Sequence, residues 1–369
     1  MSLYRQSIQV ILQNQADSGA YMASPNFPPY AYCWLRDGSF IAYAMNLVGQ
    51  HDSAGRFLSW VDETIRRYAW KVDRLLMKIE EEEPIEESDY LHTRYTLEGE
   101  EADARWWNFQ LDGYGAWLWG LAQHVRMTRD WRLLDELKSS IDITLRYLRG
   151  LWMVPNYDCW EENGDKVHIS TLAAIYGGLE AISAFQPQEP FAEIEDIKDF
   201  VLQKGVKTGH LVKYIGTDIV DASLLSASTP FRLLQPDDQI MQATVAHIEA
   251  DLHCSDGGVH RYLGDTYYGG GEWTLLAAWL GWYYAEVGEY ERARKLLAWV
   301  EAQADDRGNL PEQVSDHLLA PNRYSEWEAR WGPVAKPLLW SHALYLILHQ
   351  AVQGAGEVCR WNRLYDWKA

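Results

Sequence analysis

Two adjacent carboxylates follow a tryptophan in the stretch Tyr157-Asp158-Cys159-Trp160-Glu161-Glu162-Asn163-Gly164. An apolar neighbour raises a carboxyl pKa toward the range in which the group holds and donates a proton, so this stretch is suited to acid–base work. The same residues also fit solvated glutamates ahead of a helix, with Trp160 in the core. Three further loop-like stretches carry groups of comparable reach. The Pro-rich run from Ala23 ends in Trp34-Leu35-Arg36-Asp37-Gly38, where Arg36 offers forked donors and Asp37 acceptors to a hydroxylated ligand, or the two form a local ion pair at a helix start. The glycine- and tyrosine-rich run from Gly257 to Trp273 carries Arg261. The last begins at Gly308-Asn309-Leu310-Pro311-Glu312-Gln313 and runs through Trp327 and Trp331 to Pro337.

The elements between these stretches read as helices. Apolar residues recur at spacings of three and four in Ser2–Ala16, Ser39–Val48, Ser53–Met77, from Leu111 to Val125, and in Asp130–Leu148, Ile169–Phe185, Phe191–Leu202, Gln239–Leu252, Thr274–Val287, Tyr290–Gln303 and Leu338–Val352. Strand alternation is almost absent, and Lys78–Glu87 reads as a solvated acidic loop. About a dozen paired helices, with functional loops alternating with short connections, predict an all-α (α/α)6 barrel, a six-hairpin toroid with those loops around one mouth. No linker divides the chain, so residues 1–369 are expected to form one catalytic domain.

Composition narrows the partners. A net charge of −20 over 369 residues argues against nucleic acid and anionic membranes, which such a surface repels. Nineteen Trp and 22 Tyr against 8 Phe supply flat rings with a polar handle, suited to stacking on sugars and equally to filling a large core. Cys33, Cys159, Cys254 and Cys359 are scattered, with no C-x-x-C and no metal-ligand spacing. Together with the lack of an apolar leader or a long apolar span, this predicts a cytoplasmic protein with reduced thiols. No P-loop, G-x-S-x-G or dinucleotide fingerprint is present, so no cofactor is implied.

The loops resemble those of glycoside hydrolase family 15, the glucoamylase-like family, along nearly the whole chain. Tyr30, Trp34, Arg36 and Asp37 are similar to its aromatic-Trp-x-Arg-Asp motif, and Trp160-Glu161-Glu162 to its Trp-Glu-Glu motif. Arg261 through Tyr268 resembles its Arg-Tyr…Asp-Thr-Tyr-Tyr loop, Pro311-Glu312-Gln313 its x-Glu-Gln motif, and Trp340-Ser341-His342-Ala343 its Trp-Ser-aromatic-Ala helix start. The resemblance implies an inverting glycosidase with Glu161 as general acid and Glu312 as general base, their carboxyl groups about 6.5–9.5 Å apart to admit a water. It further implies that Arg36 and Asp37 hold hydroxyls of a terminal glucose, that Tyr30, Trp34, Trp160 and Trp340 line the pocket, and that Arg261 and Glu162 reach toward the leaving sugar.

Small intracellular isomaltose-splitting members are the most similar in layout. The expected activity is therefore release of β-glucose from the non-reducing end of short, preferably α-1,6-linked oligosaccharides. Gly271-Glu272-Trp273 stands where starch-type members tend to have Asn-Pro-Trp, which leaves the linkage open, and an α-1,4-specific or trehalase-like activity is the alternative. A non-catalytic glucan-binding protein of the same fold is expected to lose one carboxylate, and both are here. An epimerase would use histidine partners; His168 and His342 are read instead as structural.

Overall fold

The computed structural model describes residues 2–102, 105–185 and 191–354. Its first half contains helices α1 (Leu3–Gln13), α2 (Leu35–Leu47), α3 (His51–Arg67), α4 (Ala69–Glu80), α5 (Asp112–Thr128), α6 (Arg132–Glu136) and α7 (Lys138–Leu151). The second contains α8 (Ile169–Ser183), α9 (Ala192–Lys204), α10 (Gln239–Asp251), α11 (Thr274–Glu286), α12 (Tyr290–Ala302), α13 (Pro321–Trp331) and α14 (Leu339–Gln353). Strands are two residues long and pair antiparallel: β1 (Cys33–Trp34) with β2 (Arg94–Tyr95), β3 (Val206–Lys207) with β4 (His210–Leu211), and β5 (Glu272–Trp273) with β6 (Gln313–Val314).

The helices close into the (α/α)6 barrel. An inner ring runs α2, α5, α8, the 3-10 segment Ala222–Ala227, α11 and α14, and α14 packs back on α2. The inner helices are apolar all round and buried: every residue of α2 from Leu35 to Asn46, of α5 from Asp112 to Val125 and of α11 from Thr274 to Ala285 is buried. The outer helices are amphipathic and lay one face on the ring, α3 on α2, α9 on α8, α12 on α11 and α1 on α14. At the tightest inner crossing, a Cβ on Gly115 would lie 2.3 Å from the Ala174 carbonyl oxygen, and one on Gly178 would lie 2.4 Å from that of Gly115. Only glycine lets α5 and α8 approach this closely.

The structure differs from the sequence expectation in several places; the helix expected over Asp130–Leu148, for one, is two, α6 and α7, broken at Leu137. The helix expected to start at Ser39 starts at Leu35, so Arg36 and Asp37 lie in its first turn instead of on the preceding loop. Pairing of Cys33–Trp34 with Arg94–Tyr95 ends the extended chain there, and Asp37 suits the positive end of the helix. The single helix expected over Ser53–Met77 is two, α3 and α4, broken at Tyr68. Residues 321–331, expected within a loop, form α13 with Pro321 at its first turn. Among the described residues Cys33, Cys159 and Cys254 form no disulfide, and Cys359 lies outside them. Among the described residues no helix is long and apolar enough to cross a membrane.

Candidate active site

The first residues of α2 and α14, with the loops before α2, α5, α8, α11 and α14, build one cavity of about 250 Å³. Every residue singled out from the sequence lines it: Tyr30, Trp34, Arg36, Asp37, Trp160, Glu161, Glu162, Arg261, Glu312 and Trp340. Trp106, Trp107, Tyr267, Trp273, Trp327 and Trp331 add further aromatic wall.

Glu161 sits on a turn that its own sequence makes tight. The Asp158 carboxylate accepts the backbone N–H groups of Trp160 (3.0 Å) and Glu162 (2.9 Å), and Glu161 N–H donates to the Asp158 carbonyl at 2.9 Å. The turn holds Glu161 at φ 66° and Asn163 at φ 52°, a left-handed backbone that a non-glycine residue adopts only under constraint. The Trp34 indole N–H then donates to Glu161 Oε1 at 2.7 Å. Burial raises the Glu161 pKa, while the Arg36 charge and indole donors hold the rise in check. A carboxyl so placed can carry a proton into the cavity.

Glu312 is 2% exposed and immediately precedes β6. Its backbone N–H donates to the Ala335 carbonyl at 2.9 Å and its carbonyl accepts from Thr274 N–H at 3.1 Å, which fixes the strand at the start of α11. Tyr30 Oη donates to Glu312 Oε1 at 3.0 Å and lies 3.0 Å from Tyr267 Oη, while Oε2 has no partner among the described residues. Burial pushes the carboxyl up to about 8, the Tyr30 hydrogen bond and the Arg261 charge pull against this, and the Glu161 charge adds to it.

At the closed end, Arg36 is buried and shared among Asp37 (3.1 Å), Asp112 (3.2 Å) and the Gln110 amide oxygen (3.1 Å), with its guanidinium 5.1 Å from the centre of the Trp340 ring. Burial pushes Asp37 up to about 6 against the pull of Arg36, with Glu161 and Asp112 adding to the rise. The ion-pair and ligand-holding readings of Arg36-Asp37 are thus compatible, because the pair is formed and also lines the cavity. On the other side, Glu162 accepts from Arg261 at 3.3 Å and from Tyr262 Oη at 2.6 Å, and Arg261 is clamped by Asp265, its Nε donating at 2.7 Å.

Beneath the turn lies a buried charge network that the sequence reading did not identify. Lys213 Nζ is 2.8 Å from Asp221, 3.2 Å from Asp158 and 3.6 Å from Glu162, over the face of Tyr262. Asp221 also accepts the Trp160 indole N–H at 3.1 Å and caps the 3-10 segment through Ser223 N–H. The available signal was Lys213 within Leu211-Val212-Lys213-Tyr214, a lysine in an otherwise apolar run. The two histidines are structural by their contacts. Burial pushes His342 down to about 3, and the ring bridges Ser7 Oγ and Leu310 N–H, while His168 Nε2 lies 3.0 Å from the Asn163 carbonyl.

Comparison with known proteins gives a consistent result. The profile of glycosyl hydrolases family 15 matches residues 1–305. The isomaltose glucohydrolase of Kribbella flavida is 45% identical over 354 residues, spanning 94% of this chain and 91% of that protein. A solved glycosidase variant in complex with glucose superposes with a TM-score of 0.91 at 43% identity, over 95% of this chain and 96% of the other. A bacterial glucoamylase complexed with acarbose shares the fold at 19% identity, with a TM-score of 0.72 over 96% of this chain and 55% of that one.

Proposed function

The chain belongs to glycosyl hydrolases family 15, and we propose that it is an exo-acting, anomer-inverting α-glucosidase that releases β-glucose from the non-reducing end of short oligosaccharides, with α-1,6-linked isomaltose preferred. One observation carries this reading: two carboxyl groups, Glu161 and Glu312, held by different donors on different loops, line a single aromatic cavity with a buried Arg36-Asp37 pair. Protonated Glu161 donates to the glycosidic oxygen. Ionised Glu312, positioned by Tyr30, takes a proton from a water that attacks the anomeric carbon from the opposite face. Arg36 and Asp37 hold hydroxyls of the glucose, between Trp34, Trp160 and Trp340. Arg261 and Glu162 contact the leaving sugar. Trp327 and Trp331 of α13 narrow the cavity, which favours a disaccharide over a polymer, and the similarity to an isomaltose glucohydrolase favours the α-1,6 linkage. We place the activity in this one barrel, acting in the cytoplasm.

Incubation with isomaltose, maltose, trehalose and kojibiose, followed by NMR of the anomeric protons, tests activity, linkage and stereochemistry together. Isomaltose should be consumed fastest and the first glucose signal should be β. Initial α-glucose overturns inversion, and inertness on all four substrates returns the protein to a binding role.

Tyr30→Phe tests how Glu312 is held. Tyr30 donates to the ionised carboxylate and so lowers its pKa. Its loss raises that pKa further, and the acid limb of kcat/KM, where Glu312 gains a proton, moves to higher pH. A charge-assisted hydrogen bond of about 1.5 kcal/mol corresponds to a movement of about one pH unit. An unmoved acid limb would separate Tyr30 from the base.

A further inference from the structure

Behind the strand pair that follows Glu312 lies a second polar cluster, facing away from the glucose cavity. Glu272 of β5 pairs with Val314 of β6, and its side chain is fully buried. Glu272 Oε1 is 2.9 Å from His317 Nδ1, while Oε2 has no hydrogen-bond partner among the described residues. Leaving a buried carboxylate oxygen unmatched is costly, and a single imidazole does not satisfy both oxygens. Cys254 and Asp256 approach from the turn between α10 and β5, and His317 lies beyond β6. The donor atoms of Cys254, Asp256, Glu272 and His317 all lie within 4.8 Å of one another.

From this geometry we infer a binding site for a divalent transition-metal ion of the zinc class, with Cys254 Sγ, Asp256, Glu272 and His317 Nδ1 as its ligands. Zinc bonds of about 2.0–2.3 Å set tetrahedral donors about 3.3–3.8 Å apart, so small side-chain movements complete the sphere. The mixture of sulfur, imidazole and carboxylate selects zinc over calcium or magnesium, which take oxygen alone. His260 Nδ1 faces the carbonyls of Gly270 (3.0 Å) and Gly271 (3.2 Å), so it carries the proton there and its Nε2 accepts the Cys254 S–H at 3.2 Å, which fixes where Sγ stands in the metal-free protein. Gly258 leaves the carboxylate its room, since a Cβ there would lie 2.3 Å from Glu272 Cδ. The side chains of Asp256 and His317 are 41% and 52% exposed, giving an ion its path from solvent. The four donors come from three separate segments, which explains why no ligand spacing shows in the sequence. The ion would tie the 254–258 turn to β5 and to the chain leaving β6, the segment that joins Glu312 to α13, and so acts by positioning.

The intact protein is stripped with chelator, then titrated with Zn²⁺ by calorimetry and with Co²⁺ by absorption, and its thermal unfolding is followed with and without metal. One equivalent should bind, Co²⁺ should give a thiolate charge-transfer band with intense tetrahedral d–d bands, and Zn²⁺ should raise the Tm. Asp256→Ala and His317→Ala alter exposed side chains and leave the fold intact; each should weaken Zn²⁺ at least tenfold. Cys254→Ser should abolish the charge-transfer band. Ca²⁺ should not substitute. A parent protein that binds no equivalent of Zn²⁺ and gives no cobalt spectrum overturns the site, as does affinity unchanged in both surface variants. A Tm lowered by His317→Ala in metal-free protein, with no metal uptake by the parent, leaves an ion pair of His317 with Glu272 only and equally overturns it.

Discussion

Glu161→Gln should lower turnover of isomaltose by about a thousandfold, within the range expected for loss of a general acid, while leaving the fold intact. The same variant should retain far more activity on α-glucosyl fluoride, because departing fluoride needs little help from a proton donor. Glu312→Gln should lose a comparable factor on both substrates, since the attacking water must be deprotonated whichever group leaves. This contrast assigns the roles, which loss of activity alone cannot do. It is needed because burial raises both carboxyls and pushes Glu312 up to about 8. The two charges oppose one another across the cavity, so the pair tends to hold one proton between them and titrates as a unit. Under the proposed assignment, turnover requires that proton on Glu161 and the charge on Glu312. Raised basicity at Glu312 narrows the pH window but makes the ionised form a stronger base for water. The rate falls as pH drops through the point where Glu312 is protonated, and falls again as pH rises past loss of the Glu161 proton. Equal losses on both substrates for Glu161→Gln, with Glu312→Gln sparing the fluoride, would reverse the assignment.

The barrel was legible because its two layers write different patterns. Inner helices such as Thr274–Glu286 are apolar on every side, outer ones such as His51–Arg67 on one stripe, and both repeat at helical spacing. The ring's sixth inner element was not legible as a helix, since Ala222–Ala227 leads into Ser228-Thr229-Pro230 and winds as a 3-10 segment. Gly38 hid the true start of α2, where glycine is required because a Cβ would lie 2.3 Å from the Phe57 ring. The signal for α13 was present in Tyr324, Trp327 and Trp331, three and four residues apart, but no aliphatic residue reinforced it. Motif-bearing loops announced the cavity residues. The charges beneath Glu161 gave no such notice, because Asp158, Lys213 and Asp221 meet only through folding.

Lys213→Met should be the most damaging substitution away from the cavity wall. Lys213 is 3% exposed and is the cation nearest the buried carboxylates of Asp158 and Asp221. Burial alone would raise Asp221, yet its pKa is lowered, with Lys213 the principal cause. Removing one partner of a buried ion pair costs about 3–5 kcal/mol, which in a chain of this size is a fall in Tm of roughly 4–6 °C. The pH dependence carries the sign. In the parent, the depressed pKa of Asp221 contributes stability above the unfolded carboxylate range and loses it as pH falls through the folded value. In Lys213→Met, burial without the cation raises Asp221 instead, so the folded variant favours the proton and becomes less stable as pH rises. The gap in Tm should therefore be widest near neutrality and shrink toward pH 3; a gap independent of pH would assign Lys213 to packing alone. Asp158 also holds the turn that sets Glu161 at φ 66°, so kcat on isomaltose should fall with KM little changed, even at temperatures where the variant is folded. A folded variant with parental kcat would free the Glu161 turn from its dependence on the buried lysine.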